Sequence, residues 1–213
     1  IPFVEEILGV RFDTKPKIQE VEKTHVTESR VNKPFLEELR KSFEENRFTF
    51  EHNERVLHSH GQHSTDEVYK VLYNKLEKFT DLVFYIESEE ETKKLIDLAK
   101  KHNVCLIPYG GGTNVTNALR PPKEESRMVV SVDTRRMNKI ETLDEENLMV
   151  VVQAGITGKA LENGLNKRGF TVGHEPDSYE FSTVGGWVST NAAGMKKHKY
   201  GNIEDIVQNI TMI

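Results

Sequence analysis

Val104-Cys105-Leu106-Ile107-Pro108-Tyr109-Gly110-Gly111-Gly112-Thr113-Asn114 is the stretch on which the fold turns. A short apolar run reads as a buried strand, and three consecutive glycines end it. Glycine reaches the positive φ that a nest of backbone N–H groups needs, and its missing Cβ leaves room for an oxyanion. Ligands of open α/β sheets bind beyond the carboxyl ends of the strands, so this bend predicts a phosphate-binding turn. Thr113 and Asn114 add further donors. Three glycines alone also suit a merely flexible turn; the position at a strand end favours the phosphate.

Upstream, Asp81-Leu82-Val83-Phe84-Tyr85-Ile86 reads as a strand. Ser88 with Glu91 predicts a capping box, opening a helix to about residue 101 with Leu95, Ile96, Leu98 and Ala99 inward. Residues 81–107 are thus expected to form a βαβ unit with a right-handed crossover. Downstream, Met128-Val129-Val130-Ser131-Val132 and Leu148-Met149-Val150-Val151-Val152 read as strands, flanking a short edge strand at Asn138-Lys139-Ile140-Glu141. Thr157 opens a helix through Leu161 and Leu165, closed by Gly169. Thr183 to Ser189 predicts a short helix, and Glu204-Asp205-Ile206-Val207-Gln208-Asn209-Ile210 a last strand. Residues 1–75 are expected to form a helical N-terminal segment, with a stripe of Phe35, Leu36, Leu39 and Phe43 behind Pro34. Residues 76–213 are expected to form the ligand-binding domain, and to be incomplete at the C-terminal end, since the chain stops inside what reads as a strand.

A second run of small residues, Ser182-Thr183-Val184-Gly185-Gly186-Trp187-Val188-Ser189-Thr190-Asn191-Ala192-Ala193-Gly194, has two readings. Small residues allow a tight helix crossing with Trp187 as a wall. The hydroxyl and carboxylate groups of Asp177, Ser178, Ser182, Thr183, Ser189 and Thr190 favour contact with a ligand. Two backbone-lined bends in one domain suit a long cofactor with a diphosphate. Neither a GxGxxG turn nor a GxxxxGK[ST] loop is present, and Gly155-Ile156-Thr157-Gly158-Lys159-Ala160 only superficially resembles the latter.

A net charge of −5 and a pI near 6.0 provide no basic field for nucleic acid. No apolar run approaches the roughly 20 residues that span a bilayer. Cys105 is the only cysteine, which precludes an internal disulfide and suits a reducing compartment. The sequons at Asn114 and Asn209 lie in the glycine bend and an apolar stretch, and are expected to carry no glycan. His58-Ser59-His60-Gly61-Gln62-His63 lacks a cysteine or carboxylate partner that would complete a zinc set, so a loop facing substrate or partner is expected rather than a metal site. His174-Glu175 is not the HExxH motif. Lys196-Lys197-His198-Lys199 reads as a solvated run or as a counter-charge to a phosphate.

Pro108-Tyr109-Gly110-Gly111-Gly112-Thr113-Asn114-Val115 resembles the PxGGGTS pyrophosphate loop of the vanillyl-alcohol oxidase/PCMH class of FAD flavoproteins. The run Gly173-His174-Glu175-Pro176-Asp177-Ser178-Tyr179-Glu180-Phe181-Ser182-Thr183, followed by Gly194-Met195-Lys196-Lys197 and Tyr200-Gly201-Asn202-Ile203-Glu204-Asp205, is similar to the ether-lipid-forming branch of that class. The likeness spans roughly residues 50–213 and is strongest from 104 onward. It implies an α+β, PCMH-type FAD-binding domain: a βαβ unit plus a mixed sheet with flanking helices, preceded by the helical segment. The substrate domain and the catalytic acid/base groups would lie beyond Ile213, so no catalytic residue is assigned.

By motif, FAD contacts are expected at Pro108, Tyr109, Gly110, Gly111, Gly112, Thr113 and Asn114. They continue at Asp177, Ser178, Tyr179, Glu180, Phe181, Ser182 and Thr183, and at Thr190, Asn191, Ala192 and Ala193. Asn114 stands where Ser is usual, and Asn191 where some members carry Arg. The implied reaction is a redox-neutral exchange of the acyl group of acyl-dihydroxyacetone phosphate for a long-chain fatty alcohol. A homodimer, peripheral membrane contact and peroxisomal location follow from the resemblance only. Two alternatives remain: an FAD-dependent 2-hydroxy-acid dehydrogenase of the D-lactate or glycolate type, and a noncatalytic flavin-fold interaction module.

Overall fold

The computed structural model describes residues 2–12 and 26–213. The part of the predicted lead segment at 1 and 13–25 lies outside the described residues. The remainder is α+β, with a four-stranded mixed sheet and a separate two-stranded ribbon.

Two helices precede the sheet, α1 (Pro2–Leu8) and α2 (Lys33–Ser42). Asn32 caps α2 by accepting from Phe35 N at 3.1 Å, and Pro34 sits in its first turn. The expected stripe turns Phe35 and Leu39 fully inward. The short strand β1 (Phe48–Thr49) follows, then α3 (His52–Leu57) and α4 (Thr65–Leu72). Next come β2 (Leu82–Tyr85), α5 (Glu89–His102), β3 (Cys105–Tyr109) and β4 (Val129–Asp133).

The sheet order is β1-β2-β4-β3, with β1 antiparallel and the other three parallel. The expected βαβ unit is therefore split: β2 and β3 are joined through α5, but β4 lies between them. All five residues of β4 are buried, as its central place demands. Pro108 lies in β3, an edge strand, where a missing N–H breaks no ladder. Leu82, Phe84, Val130, Val132 and Leu106 face α2 and α5 in one apolar cluster. Alternation then sends Tyr85, Tyr109 and Asp133 to the opposite face.

The cap of α5 differs in one half from the expected box. Ser88 Oγ accepts from Glu91 N at 3.2 Å, but the Glu91 carboxylate accepts from Glu87 N at 2.9 Å rather than from Ser88. The N-terminal end of the sheet is held by Asp81, whose two carboxylate oxygens accept from Arg30 N and Val129 N, both at 2.8 Å.

The ribbon pairs β5 (Ile140–Asp144) with β6 (Met149–Val152). Its inward residues Ile140, Leu143, Val150 and Val152 pack with Ile156, Leu161, Leu165, Trp187 and Ile203. Apart from Ile156, which lies just before α6, these come from α6 (Gly158–Asn166), α7 (Val184–Thr190) and α9 (Ile203–Ile206); α8 (Lys197–Tyr200) lies between the last two. The strand expected over 204–210 is thus corrected to the short helix α9, with 207–210 in no regular element. Asp205 accepts from Asn202 N at 2.9 Å, and Ile203 is drawn into the Trp187 cluster. Among the described residues no helix is long and apolar enough to cross a membrane.

Candidate functional site

Strand β3 ends at Tyr109, whose carbonyl accepts from Thr134 N at 3.0 Å and Thr134 Oγ1 at 3.1 Å. The chain then bends, and the backbone N–H groups of residues 110–115 donate to no described acceptor. Several N–H groups without a described partner in one bend are the raw material of an anion site. Asn114 binds its own loop: its Oδ1 accepts from Thr116 N at 3.1 Å and Ala118 N at 3.0 Å.

The three glycines serve different local roles. Only Gly112 has positive φ, at +69°. A Cβ on Gly111 would lie 1.9 Å from the Phe181 carbonyl oxygen, and one on Gly110 would lie 2.5 Å from Thr183 Oγ1. Gly110 and Gly111 thus let the two loops touch, whereas Gly112 abuts the Tyr109 hydroxyl and the Gln62 side chain.

That second bend is a turn at Ser178, φ +61°, whose carbonyl accepts from Phe181 N and Ser182 N at 2.8 Å each. An isolated bridge pairs Thr157 with Thr183, and Gly185 N donates to Ala154 O at 2.7 Å. The tight-packing reading holds at the buried residues of this run. Ser182 and Thr183 are buried and serve the fold: Ser182 Oγ accepts from Trp187 Nε1 at 2.8 Å, and Thr183 Oγ1 caps α7. Gly158 and Gly185 abut Trp187 and Ala154 with no room for a Cβ. Asp177, Glu180 and Phe181 remain exposed, and Ser178 and Tyr179 half-buried beside them. At the far end of α7, Thr190 donates to Gly186 O at 2.9 Å, Asn191 takes the left-handed cap, Ala192 N donates to Trp187 O at 2.9 Å, and Ala193 follows in irregular chain.

Residues 58–63 supply a third wall. Gln62 N donates to Gly112 O at 2.7 Å, and Gln62 Nε2 to the Tyr109 hydroxyl at 2.8 Å. His63 Nδ1 lies 2.8 Å from Ser178 Oγ, tying this segment to the second bend. His60 Nδ1 is 2.7 Å from the Gly61 carbonyl and His58 turns to Asp133, so the three imidazoles do not converge. Among the described residues no group of three His, Cys, Asp or Glu is placed to hold a metal.

Beneath the glycine bend, register sets Tyr85 beside Asp133 and Asp133 beside Tyr109. His58 Nε2 lies 2.9 Å from Asp133 Oδ2, Arg135 Nε lies 3.0 Å from both carboxylate oxygens, and Tyr85 donates to Glu54 Oε2 at 2.7 Å. Burial would push the Asp133 carboxyl up, but hydrogen bonds from His58 and Arg135 outweigh it and hold the group below the usual range. Asp133, Arg135, Glu54 and Tyr85 escaped the sequence reading. Their signal was the shared period-2 face of three strand ends, with an i, i+4 pair on α3.

His174 is buried against Trp187, ring centroids 5.0 Å apart, and neither ring nitrogen has a described partner. Burial pushes its pKa below the ordinary value. In the basic run, Lys196 pairs with Glu175 and Lys199 lies over the Tyr200 ring.

Residues 80–213 match the model of the FAD binding domain family. An alkyldihydroxyacetonephosphate synthase of Caenorhabditis elegans is 42% identical over 214 residues, covering 100% of this chain and 35% of the relative. The enzyme of that name from Dictyostelium discoideum is 38% identical over 194 residues, covering 91% of this chain and 31% of its own length. A solved structure titled alkyldihydroxyacetonephosphate synthase superposes with a TM-score of 0.83 at 37% identity, covering 88% of this chain and 35% of that one. The chain spans about a third of the length of these relatives.

Proposed function

Because the chain belongs to the FAD binding domain family, we propose that it forms the flavin-binding part of an alkyldihydroxyacetonephosphate synthase. The residues present fit a diphosphate. The free N–H groups of residues 110–115 carry this reading, since they offer charge-assisted hydrogen bonds without a cationic side chain. Each such bond contributes on the order of 1.5–3 kcal/mol. Contacts fall at residues 108–114 and continue along 177–183, where the two bends touch, with residues 190–193 at the end of α7.

In the proposed reaction the bond between the dihydroxyacetone carbon and the ester oxygen breaks, and the acyl group leaves as a carboxylate. The fatty alcohol oxygen takes its place on that carbon, and the alcohol proton is released. No net electrons are exchanged. The flavin, when bound, supplies the electron-rich ring chemistry that makes this exchange accessible. This chain's residues bind and orient: the first bend grips the diphosphate, and Ser182 with Trp187 holds the second bend in place. A homodimer, peripheral membrane contact and peroxisomal residence go with this reading of the whole protein.

The test is a visible absorbance spectrum of the purified full-length protein, followed by exchange of radiolabelled fatty alcohol into acyl-dihydroxyacetone phosphate. A flavin band and labelled ether product are expected. A colourless protein overturns the flavin assignment, and bleaching of the flavin by a 2-hydroxy acid overturns the synthase in favour of a dehydrogenase.

A further inference from the structure

Tyr109 is wedged between two charged-network members. Its ring centroid lies 4.3 Å from that of His58, and the Arg135 guanidinium carbon lies 5.3 Å from it on the cation–π contact. Its hydroxyl accepts from Gln62 Nε2 at 2.8 Å and lies where a Cβ on Gly112 would stand, 2.3 Å from that point. The phenol therefore props the one glycine of the bend with positive φ. The Gly112 carbonyl is held by Gln62 N at 2.7 Å. In a planar trans peptide the N–H points opposite to the C=O, so this bond aims the Thr113 N–H away from Gln62. The direction of a donor in the bend is thus fixed from below.

The support under Tyr109 is a hydrogen-bonded network in which Asp133 and His58 are buried and Arg135 and Glu54 are partly exposed. Asp133 receives His58 Nε2 at 2.9 Å, Arg135 N at 2.8 Å and the Arg135 guanidinium. His58 Nδ1 lies 2.8 Å from Glu54 O, and Tyr85 donates to the Glu54 carboxylate. Buried ion pairs contribute little net stability over apolar packing but constrain geometry. Their place at the carboxyl ends of three parallel strands puts that constraint where the ligand binds.

We propose that Tyr109, backed by Asp133, His58 and Arg135, is a positioning device for FAD: it sets the conformation of the glycine bend and thereby the affinity for the diphosphate. This deepens the flavin reading and rests on it. The test uses the full-length protein stripped of flavin and titrated with FAD by fluorescence quenching. Tyr109→Phe removes only the hydroxyl, and exposed Gln62 recovers a water. Its FAD dissociation constant is expected to rise about tenfold, with the thermal midpoint of the flavin-free protein close to the parent's. Asp133→Asn is expected to weaken FAD in the same direction and to change the visible circular dichroism of the bound flavin. Tyr109→Phe binding FAD as tightly as the parent overturns the inference, whether or not Asp133→Asn folds. A parent that takes up no FAD overturns the flavin reading itself, a distinct outcome.

Discussion

Gly111 shows how one missing methyl group holds two loops together. A Cβ there would sit 1.9 Å from the Phe181 carbonyl oxygen, a backbone atom that no rotamer change moves aside. Gly111→Ala is expected to part the bends, cost roughly 1–3 kcal/mol as overpacking does, and leave the full-length protein unable to retain flavin through gel filtration. Gly169 is the contrasting case, with φ +81° and nothing within 4 Å of its would-be Cβ. Gly169→Ala is expected to cost about 1 kcal/mol from the left-handed backbone alone, with flavin retained. Ser182→Ala would orphan the buried indole N–H of Trp187, at about 1–3 kcal/mol by denaturant midpoint. The glycine positions were legible in the sequence; what faces them was not, because Phe181 lies in a segment that only the fold brings near.

At the level of elements, periodicity and caps carried most of what the sequence told. The α2 stripe, the Ser88 start of α5, the Thr157 start of α6 and the helix after Thr183 all follow from local chemistry. The sequence reading of residues 204–210 failed because β-branched Ile206, Val207 and Ile210 outweighed a start signal, Asn202 followed by Asp205. Burial of Ile203 against Trp187 settles the matter for the helix. The insertion of β4 between β2 and β3 had no local signature at all. The polar network was hidden for a related reason: His58 and Asp133 are 75 residues apart in the chain. Asp81 marks how the N-terminal segment is fastened to this sheet, by one carboxylate bonded to Arg30 N and Val129 N. Asp81→Asn turns an amide NH₂ toward one of these N–H donors and is expected to cost about 1–3 kcal/mol, read from the denaturant midpoint.

Over the whole molecule, buried titratable groups set the response to acid. Desolvation lowers the His174 pKa from the ordinary 6.5, so the unfolded chain binds that proton more readily than the folded one. Its contribution is complete above about pH 6.5 and declines as pH falls toward the lowered value, by at most about 1.4 kcal/mol per unit. Denaturant midpoints between about pH 7.5 and about pH 5.5 should fall in the parent and fall less in His174→Asn. Asp133, depressed by His58 and Arg135, acts in a different window: its contribution is complete above the ordinary 3.8 and is lost only in stronger acid. The placement of β4 has a temporal consequence as well. During synthesis from the N-terminus, the two strands that flank it emerge first and cannot complete the sheet with each other. At roughly 5–20 residues per second, the ribosome leaves that gap open for seconds, with unpaired strand edges facing it. A nascent polypeptide stalled before residue 129 should therefore stay protease-sensitive and chaperone-bound, and become resistant only once the keystone strand has cleared the exit tunnel.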